Sequence, residues 1–468
     1  MGKRAEKMKG NAIAVKEFNN NRNPVLPLEC HIPDGEAHVM SDGKLYIYGS
    51  FDNRENEYCS DRYYVVSTSD MKHWTIHDES FNSREVSWFA DPSAPRYPGL
   101  DWFHPTPFLQ KMVEKILQEY KGDADAAVSM ANVKKEPLLF APDCIEKDGK
   151  YYLYFCMNDE SEGVAVSDDP EGPFCNAVRL PCGGIDPAVF IDEDGQAYYY
   201  WGQVCSHGVK LNLDMVSFDP AQTVDLLSEE KHFFHEGSSM RRIGKTYYYV
   251  FAGVERGKPT ALGYATGNSP LGPFTYRGII IDNVMCDPAS WNNHGSIECV
   301  NGQWYVFYHR CSRGTEQHRR LCIEPIEIQP DGTIAEVKMT SQGAGEPFAP
   351  NEYIMGYQAC ELRGTVYIDT DKEFGEKLVH ISKGDEIVFR YVQSKTAYTG
   401  IEIAASGTGI VDILMNGKMA GTVRIVDAIQ LDTEICMLSG EYELLFRVAE
   451  SENLELMQVK LNAESLNN

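Results

Sequence analysis

The chain has 468 residues, of which 43% are hydrophobic, and this is enough for two or possibly three folded domains. Its net charge of −26 argues against binding to nucleic acid or to an anionic membrane surface, and no apolar run reaches the roughly 20 residues of a membrane span. Thirteen cysteines without zinc-ligand spacing, and an N-terminus without an apolar signal core, predict a cytoplasmic protein with reduced thiols.

A short phrase occurs five times in the first two thirds of the chain, at residues 42–48, 148–154, 194–200, 243–249 and 301–307. Each copy is a tight turn, usually Asp-Gly or Asn-Gly, that leads into an aromatic-rich strand, which is the strongest short-range signal of a β-hairpin. Units made only of strands that recur at intervals of tens of residues are typical of propeller blades. The sequence therefore predicts an all-β protein with a five-bladed β-propeller over residues 23–340.

The interval between the first two repeats is about twice as long as the later ones. Within it, residues 108–120 place apolar side chains at helical spacing. We therefore expect a helical excursion between the first and second blades. Long loops at this position often shape the rim of a pocket.

The composition changes near residues 342–351, where Gly, Ala and Pro are frequent. Short alternating strands follow, among them residues 400–405, 410–415, 441–449 and 454–459, and they predict a jelly-roll-like β-sandwich over residues 351–468. All six Trp residues lie before this part, although sugar-binding modules usually hold a ring on exposed Trp or Tyr. We expect a structural module packed on the propeller, with sugar binding as the alternative.

Each blade carries one polar group about eight residues before its turn, namely Asp34, Asp143, Asp186, Glu236 and His294. Because equivalent positions in a propeller face the same axis, we expect the five side chains to converge. The alternative for an Asp before Pro is the capping of a turn. A structural hydrogen-bonding role is equally open for Asp143, and His294 is either a satisfied core histidine or a ligand of a central water or cation.

The phrases around these five residues resemble glycoside hydrolase family 43, whose members are five-bladed propellers and include β-xylosidases and α-L-arabinofuranosidases. The resemblance covers about residues 23–330. It implies that Asp34 is the general base, that Glu236 is the general acid, and that Asp186 orients the acid and keeps it protonated. Many relatives have Asp-Pro at the base, whereas Asp34 is followed by Gly35.

The same resemblance implies further site residues. The candidates for substrate binding are Phe51, Trp102, Asp143 and Arg319. Arg320 is the alternative to Arg319, because the two arginines are adjacent. His294 matches an axial histidine that contacts a water or a calcium ion in relatives, so a structural calcium is expected near the axis. The C-terminal part more weakly resembles carbohydrate-binding module family 6.

The resemblance implies an inverting hydrolase that releases terminal α-L-arabinofuranosyl or β-D-xylosyl residues from small oligosaccharides derived from xylan or arabinan. No cofactor is needed for the proton transfers, and the two carboxyl groups should stand roughly 6.5–9.5 Å apart. Endo-acting cleavage of arabinan, which needs an open groove, is one alternative. A non-catalytic sugar-binding propeller, which would lack one of the three carboxylates, is the other. The Asn-Asp-Pro-Asn-type motif of fructan-cleaving propellers is absent from the sequence.

Overall fold

A computed structural model describes residues 16–54, 57–89, 91, 136–426 and 431–464 of the chain. These residues are almost all in β-strands, which form five small antiparallel sheets followed by one nine-stranded sheet. The five-bladed propeller predicted from the repeat is confirmed. The helix expected over residues 108–120 lies outside the described residues. The helices that the structure describes include none that is long and apolar enough to cross a membrane.

The five blades follow one another along the chain. Blade 1 contains β1 (Glu17–Asn19), β2 (Glu36–Val39), β3 (Leu45–Tyr48), β4 (Arg62–Thr68) and β5 (His73–Asn82). Blade 2 contains β6 (Asp143–Lys147), β7 (Lys150–Cys156), β8 (Ser161–Ser167) and β9 (Cys175–Gly183). Blade 3 contains β10 (Ala188–Ile191), β11 (Ala197–Trp201), β12 (Cys205–Lys210) and β13 (Val224–Ser228). Blade 4 contains β14 (Phe234–Ile243), β15 (Thr246–Gly253), β16 (Ala261–Gly267) and β17 (Phe274–Asp282), and blade 5 contains β18 (Ser296–Val300), β19 (Gln303–Ser312) and β20 (Thr315–Ile326).

Few other elements occur in the described part of the propeller. A four-residue helix, α1 (Glu229–His232), connects blades 3 and 4, and 3₁₀ turns lie at Ser83–Glu85 and Pro220–Gln222. The chain begins at the outer edge of blade 1, because β1 pairs with β5 there.

The repeated phrase forms the hairpin between β2 and β3 in blade 1 and between the first two strands in each of the other four blades. Gly43 and Gly149 adopt φ values of +80° and +72°, a left-handed conformation that glycine adopts without steric cost. The aromatic residues that follow enter the core, and Tyr48, Tyr154 and Tyr249 are fully buried. The first strand of each hairpin, β2, β6, β10, β14 or β18, is the innermost strand of its blade, and its beginning determines what faces the axis.

The C-terminal domain is a nearly closed nine-stranded sheet with a 3₁₀ turn at Gly356–Gln358. Its strands are β21 (Tyr353–Met355), β22 (Glu361–Arg363), β23 (Tyr367–Asp371), β24 (Gly375–Ile381), β25 (Glu386–Ser394), β26 (Tyr398–Met415), β27 (Lys418–Val426), β28 (Leu431–Met437) and β29 (Gly440–Ala463). The long strand β29 pairs with β21, β24, β25 and β26. This pairing curls the sheet around a core that includes Phe389, Ile413 and Phe446.

The two domains share a second hydrophobic cluster. Propeller residues of this cluster, such as Tyr264 and Val306, pack together with Val388 and Leu414 of the C-terminal sheet. Arg390 of β25 also donates a hydrogen bond from Nη1 to the carbonyl oxygen of Met339. The C-terminal sheet is therefore packed against the propeller through a continuous apolar interface.

Candidate active site

A pocket of about 270 Å³ lies at the propeller axis and receives side chains from all five blades. Asp34, Asp186, Glu236 and His294 are among the residues that line it. The structure therefore brings together four of the five side chains that the sequence predicts to converge. The fifth, Asp143, is not among the lining residues.

Three of these side chains occupy the same place in their blades. Asp34, Asp186 and His294 each lie two residues before the innermost strand, which begins at residue 36, 188 or 296. Asp34 and Asp186 have φ values of +58° and +56°, in the left-handed region that few non-glycine residues adopt. Such strain is maintained where the surrounding structure requires it, and it is common at functional sites.

Glu236 reaches the pocket by a different route, from within the innermost strand of blade 4. The pairing of β14 with β15 shifts register on both sides of Glu236, and such bulges redirect side chains. Gly237 follows with a φ of +76°, and a Cβ there would lie 3.1 Å from His294 Cδ2. Gln203 Nε2 donates a hydrogen bond to Glu236 Oε2 at 2.7 Å, which holds the carboxyl group in the pocket.

The environment of Asp34 favours the carboxylate form. Arg319 Nη1 donates to Asp34 Oδ1 at 2.8 Å, Ser50 Oγ donates to Oδ2 at 2.7 Å, and His309 Nδ1 lies 3.2 Å from Oδ1. Burial raises the pKa of Asp34, but Arg319 and His309 outweigh burial and hold this pKa well below its usual range. Asp34 is therefore ionised at neutral pH, as a general base must be.

The environment of Asp186 has the opposite effect. Burial, together with the negative charges of Glu236 and Asp34, raises the pKa of Asp186 well above its usual value, although the backbone N–H of Gly237 opposes the shift. Two buried carboxyl groups that repel each other titrate as a pair, and the pair retains a proton to higher pH than an isolated group. The Asp186–Glu236 pair therefore provides the protonated partner that complements ionised Asp34.

A buried histidine lies beside the candidate acid. His235 Nε2 is 3.9 Å from Glu236 Oε2, and His235 Nδ1 is 2.6 Å from Glu229 Oε1. Burial lowers the pKa of His235, but the hydrogen bond to Glu229 and the charges of Glu236 and Glu229 outweigh it and raise this pKa above its usual value. Glu229 thus favours a positive charge on His235, next to Glu236.

Arg319, rather than Arg320, is the arginine of the pocket. Its Nε and Nη2 donate to Asp52 Oδ2 and Oδ1, both at 2.9 Å, while Nη1 holds Asp34. Arg320 instead points to the C-terminal domain, where it forms an ion pair with Glu376. Successive residues of a strand face opposite sides, and this separates the two arginines.

Phe51, which the sequence predicts to line the sugar site, is not among the residues that line this pocket. Phe51 packs in the hydrophobic cluster of blade 1, with its ring edge-on to Tyr64 at a centroid distance of 4.8 Å. The preceding residue, Ser50, faces the pocket instead, since its hydroxyl group donates a hydrogen bond to Asp34. The aromatic residues that do line the pocket are Tyr58, Phe140 and Trp291. Trp102, the other predicted aromatic, lies outside the described residues.

Asp143, for which substrate contact and structural hydrogen bonding were both open, is also not among the residues that line the pocket. Asp143 lies five residues before its turn at residue 148, whereas Asp34 lies eight residues before its turn at residue 42. Asp143 is therefore the first residue of β6, and Ala141 takes the pocket-facing place in blade 2. The Asp143 carboxylate is used internally, because His38 Nε2 lies 2.7 Å from Oδ1 and Val189 N donates to Oδ2 at 2.7 Å.

Several supporting residues were not found by sequence reasoning. Ser50, Cys156 and His309 each lie two residues after the repeated phrase, Ser50 just beyond β3 and the other two on β7 and β19. Ser50 and His309 contact Asp34, and Cys156 Sγ accepts a hydrogen bond from the backbone N–H of Asp186 at 3.4 Å. Their constant offset from the phrase is the signal by which they could have been found.

The surroundings of His294 do not fit a calcium ion bound directly by this residue. His294 Nδ1 lies 3.6 Å from Asp186 Oδ2 and 3.9 Å from Asp34 Oδ1, and Arg319 already donates to that Asp34 oxygen. Calcium prefers six to eight oxygen ligands, which an imidazole nitrogen and two carboxylates committed to the pocket do not supply. In the described ranges, the His, Cys, Asp and Glu groups compact enough for a metal are Cys205–His207–Asp225 and Glu36–His38–Asp143.

Comparisons with known proteins agree with this site. The sequence profile of glycosyl hydrolases family 43 matches residues 118–334. A xylosidase/arabinosidase of Thermoclostridium stercorarium is 32% identical over 399 residues, which cover 74% of each chain. A xylosidase/arabinosidase of Bacteroides ovatus is 33% identical over 364 residues, which cover 66% of this chain and 95% of that protein.

Solved structures show the same likeness. A GH43 β-xylosidase/α-arabinofuranosidase from a compost microbial metagenome, in complex with xylotriose, is 26% identical and has a TM-score of 0.52; the match covers 69% of this chain and 98% of that one. A GH43 enzyme of Xanthomonas citri, complexed with xylose, is 26% identical with a TM-score of 0.52, over 69% of this chain and 94% of that one. The repeat, the pocket carboxylates and these relatives together show that the chain belongs to glycosyl hydrolase family 43.

Proposed function

We propose that this protein is an inverting exo-glycosidase that releases terminal α-L-arabinofuranosyl or β-D-xylosyl residues from oligosaccharides derived from xylan or arabinan. The observation that carries the proposal is the meeting of Asp34, Asp186 and Glu236 in one pocket, where Arg319 keeps Asp34 ionised. Inverting hydrolysis of a glycosidic bond needs one ionised and one protonated carboxyl group. The pocket provides both.

Each carboxyl group has one task in the reaction. Asp34 accepts a proton from the water that attacks the anomeric carbon, and Glu236 donates a proton to the leaving oxygen. We expect their carboxyl groups to stand roughly 6.5–9.5 Å apart, which leaves room for that water. Asp186 contacts no leaving group in this scheme; together with Glu236 it forms the pair of carboxyl groups that retains a proton.

The size and lining of the pocket support action on a terminal sugar. A volume of about 270 Å³ is below the ~300–1,000 Å³ of typical ligand pockets, and it suits a single ring better than the middle of a polymer. The rings of Tyr58, Phe140 and Trp291 offer apolar faces to such a ring. Pentoses are the proposed sugars because the two solved relatives are named for complexes with xylotriose and xylose.

An assay with nitrophenyl glycosides tests the proposal. We expect turnover of 4-nitrophenyl α-L-arabinofuranoside or β-D-xylopyranoside, and little turnover of the corresponding glucoside and galactoside. Proton NMR of the first-formed sugar should show the inverted anomer. Retention of configuration would contradict the mechanism, and the absence of turnover on every terminal pentoside would contradict the function.

A further inference from the structure

A buried polar group at the interface between the two domains is not used by the proposed function. Arg320 of β20 and Glu376 of β24 form an ion pair there, and their exposed fractions are only 3% and 1%. Arg313, in the turn between β19 and β20, contacts the same carboxylate, with its Nη2 3.4 Å from Glu376 Oε1. Two guanidinium groups, that of buried Arg320 and that of partly exposed Arg313, therefore share one buried carboxylate.

Many polar atoms of this group lack a hydrogen-bond partner within the described residues. They are Nε and Nη1 of Arg320, Nε of Arg313, Nε2 of His31 and Oε2 of Glu376. Four of the five are nitrogens, and the three guanidinium nitrogens can only donate. Buried donors without partners are strongly unfavourable, so the group lacks a ligand that accepts hydrogen bonds.

The same place carries excess positive charge. Burial and the nearby charges of Arg320, Arg313 and His318 hold the pKa of His31 well below its usual value, so its imidazole is neutral at pH 7. The His318 ring packs edge-on against the His31 ring, with centroids 5.2 Å apart. The two guanidinium groups and the Glu376 carboxylate together carry a net charge of +1.

We propose that Arg313, Arg320 and His31 form a binding site for one small monovalent anion, of the size and charge of chloride, enclosed between the propeller and the C-terminal domain. The buried side chains of Arg320 and His31, together with the buried Nε of the partly exposed Arg313, select an anion over a cation. The excess of one positive charge matches a monovalent ion better than a divalent oxyanion. Arg320 is 3% exposed and His31 is 4% exposed, whereas the Arg313 side chain is 25% exposed at the edge of the site. Burial at Arg320 and His31 favours a compact ion over a bulky organic anion.

The anion site has a consequence for the neighbouring pocket. Arg320 directly follows Arg319 on β20, and Arg319 holds Asp34. An ion that fixes Arg320 therefore stabilises the strand from which the pocket arginine extends. The test of the anion site does not depend on the proposed glycosidase function, because anion binding is measured by thermal unfolding and by diffraction.

Thermal unfolding of the full-length protein tests the proposal. Chloride is titrated at constant ionic strength with sodium gluconate as the balancing salt, and the melting temperature Tm is recorded. We expect Tm to rise by about 2 °C or more and then to level off, as for a saturable site. Arg256→Gln, which changes an exposed arginine paired with Asp282 and Glu336, should keep this response, whereas Arg320→Gln should lose it.

Two results would overturn the proposal. One is a wild-type Tm that does not respond to chloride in a saturable way. The other is a saturable response to inorganic phosphate in the place of chloride, because it would contradict the assigned charge and size.

Crystals of the wild-type protein test the anion site directly, and this test does not require that Arg320→Gln folds. Wild-type crystals grown in sodium bromide and measured at the bromine absorption edge should show an anomalous peak between Arg320, Arg313 and His31. A map without a peak at this place would overturn the proposal.

Discussion

Arg319 connects Asp34 to Asp52 through a single guanidinium group. Nη1 donates to Asp34 Oδ1 at 2.8 Å, while Nε and Nη2 bind both carboxylate oxygens of Asp52 at 2.9 Å. The bidentate pair with Asp52 fixes the plane of the guanidinium, so its third donor stays directed at Asp34. The candidate base is therefore kept ionised by a charge that belongs to the protein and not to the substrate.

Replacing Arg319 should change the pH dependence of the enzyme. In Arg319→Gln, the charge that lowers the pKa of Asp34 is lost while burial, which raises it, remains. The acidic limb of the kcat/KM profile should therefore move to higher pH, by about one unit or more. Arg310→Gln is the matched control, because Arg310 is also a buried arginine with a carboxylate partner, Glu324. It should lower stability and leave the limb in place.

Replacing Glu236 should separate substrates by their leaving groups. Glu236→Gln keeps the shape of the side chain and removes its proton, and we expect kcat on xylo-oligosaccharides to fall by about 10²–10⁴-fold. Nitrophenyl pentosides should lose less, because their leaving groups need less protonation. Glu316→Gln, a change at another carboxylate that lines the pocket, should not show this difference. Equal losses on good and poor leaving groups would show that Glu236 is not the acid.

Sequence reasoning was strongest where turn chemistry repeats. The Asp-Gly and Asn-Gly turns determine the hairpins, and the hairpins determine where the innermost strands begin, so Asp34, Asp186 and His294 could be placed by counting back from the turn. The count failed at Asp143, which is five residues from its turn instead of eight.

The C-terminal strands show a different limit. Residues 400–405 and 410–415 were predicted as two strands but belong to one, β26, and residues 441–449 and 454–459 both belong to β29. Gly407 and Asn453 have φ values of +79° and +51°, which is typical of turns. Here they lie at a register shift between β26 and β29, and the two strands remain paired on both sides of the shift. A sequence pattern does not distinguish such a bulge from the end of a strand.

Asp143 and Asp34 should respond in opposite ways to substitution. Asp143→Ala leaves the N–H of Val189 and the imidazole of His38 without their acceptor, at a cost of about 1–3 kcal/mol for each buried group. We expect a lower Tm and a kcat near that of the wild type. Asp34→Asn should instead keep most of its stability and lose kcat by orders of magnitude. If Asp143→Ala abolished turnover while its Tm stayed unchanged, Asp143 would belong to the site after all.

The His235–Glu229 pair should influence the alkaline limb of the pH profile. The groups charged or titratable around His235 and Glu236 are Glu229, Asp186 and His294. Glu229→Gln removes the partner that raises the pKa of His235, so the imidazole loses its positive charge at lower pH. Less positive charge then lies next to the candidate acid, and the alkaline limb of kcat/KM should move to higher pH.

Two further variants test this effect. His235→Asn should move the alkaline limb in the same direction as Glu229→Gln, because it removes the same charge. His207→Asn changes a histidine of blade 3 whose Nδ1 is 2.8 Å from exposed Asp225, and it should leave the limb in place. A decrease in kcat with no shift of the limb would mean that His235 acts only through packing.

The shared hydrophobic cluster predicts that the two domains unfold together. Leu414 of β26 is 6% exposed and packs in the cluster that includes Tyr264 and Val306 of the propeller. Leu414→Ala should lower the free energy of unfolding by about 2–5 kcal/mol, because it leaves a cavity that both domains line. Scanning calorimetry should show a single transition at lower temperature, and glycosidase activity should be lost with that transition. Met419→Ala, at a side chain that is 57% exposed on β27, should change neither. A separate early transition that left the activity intact would show instead that the C-terminal domain is an independent unit.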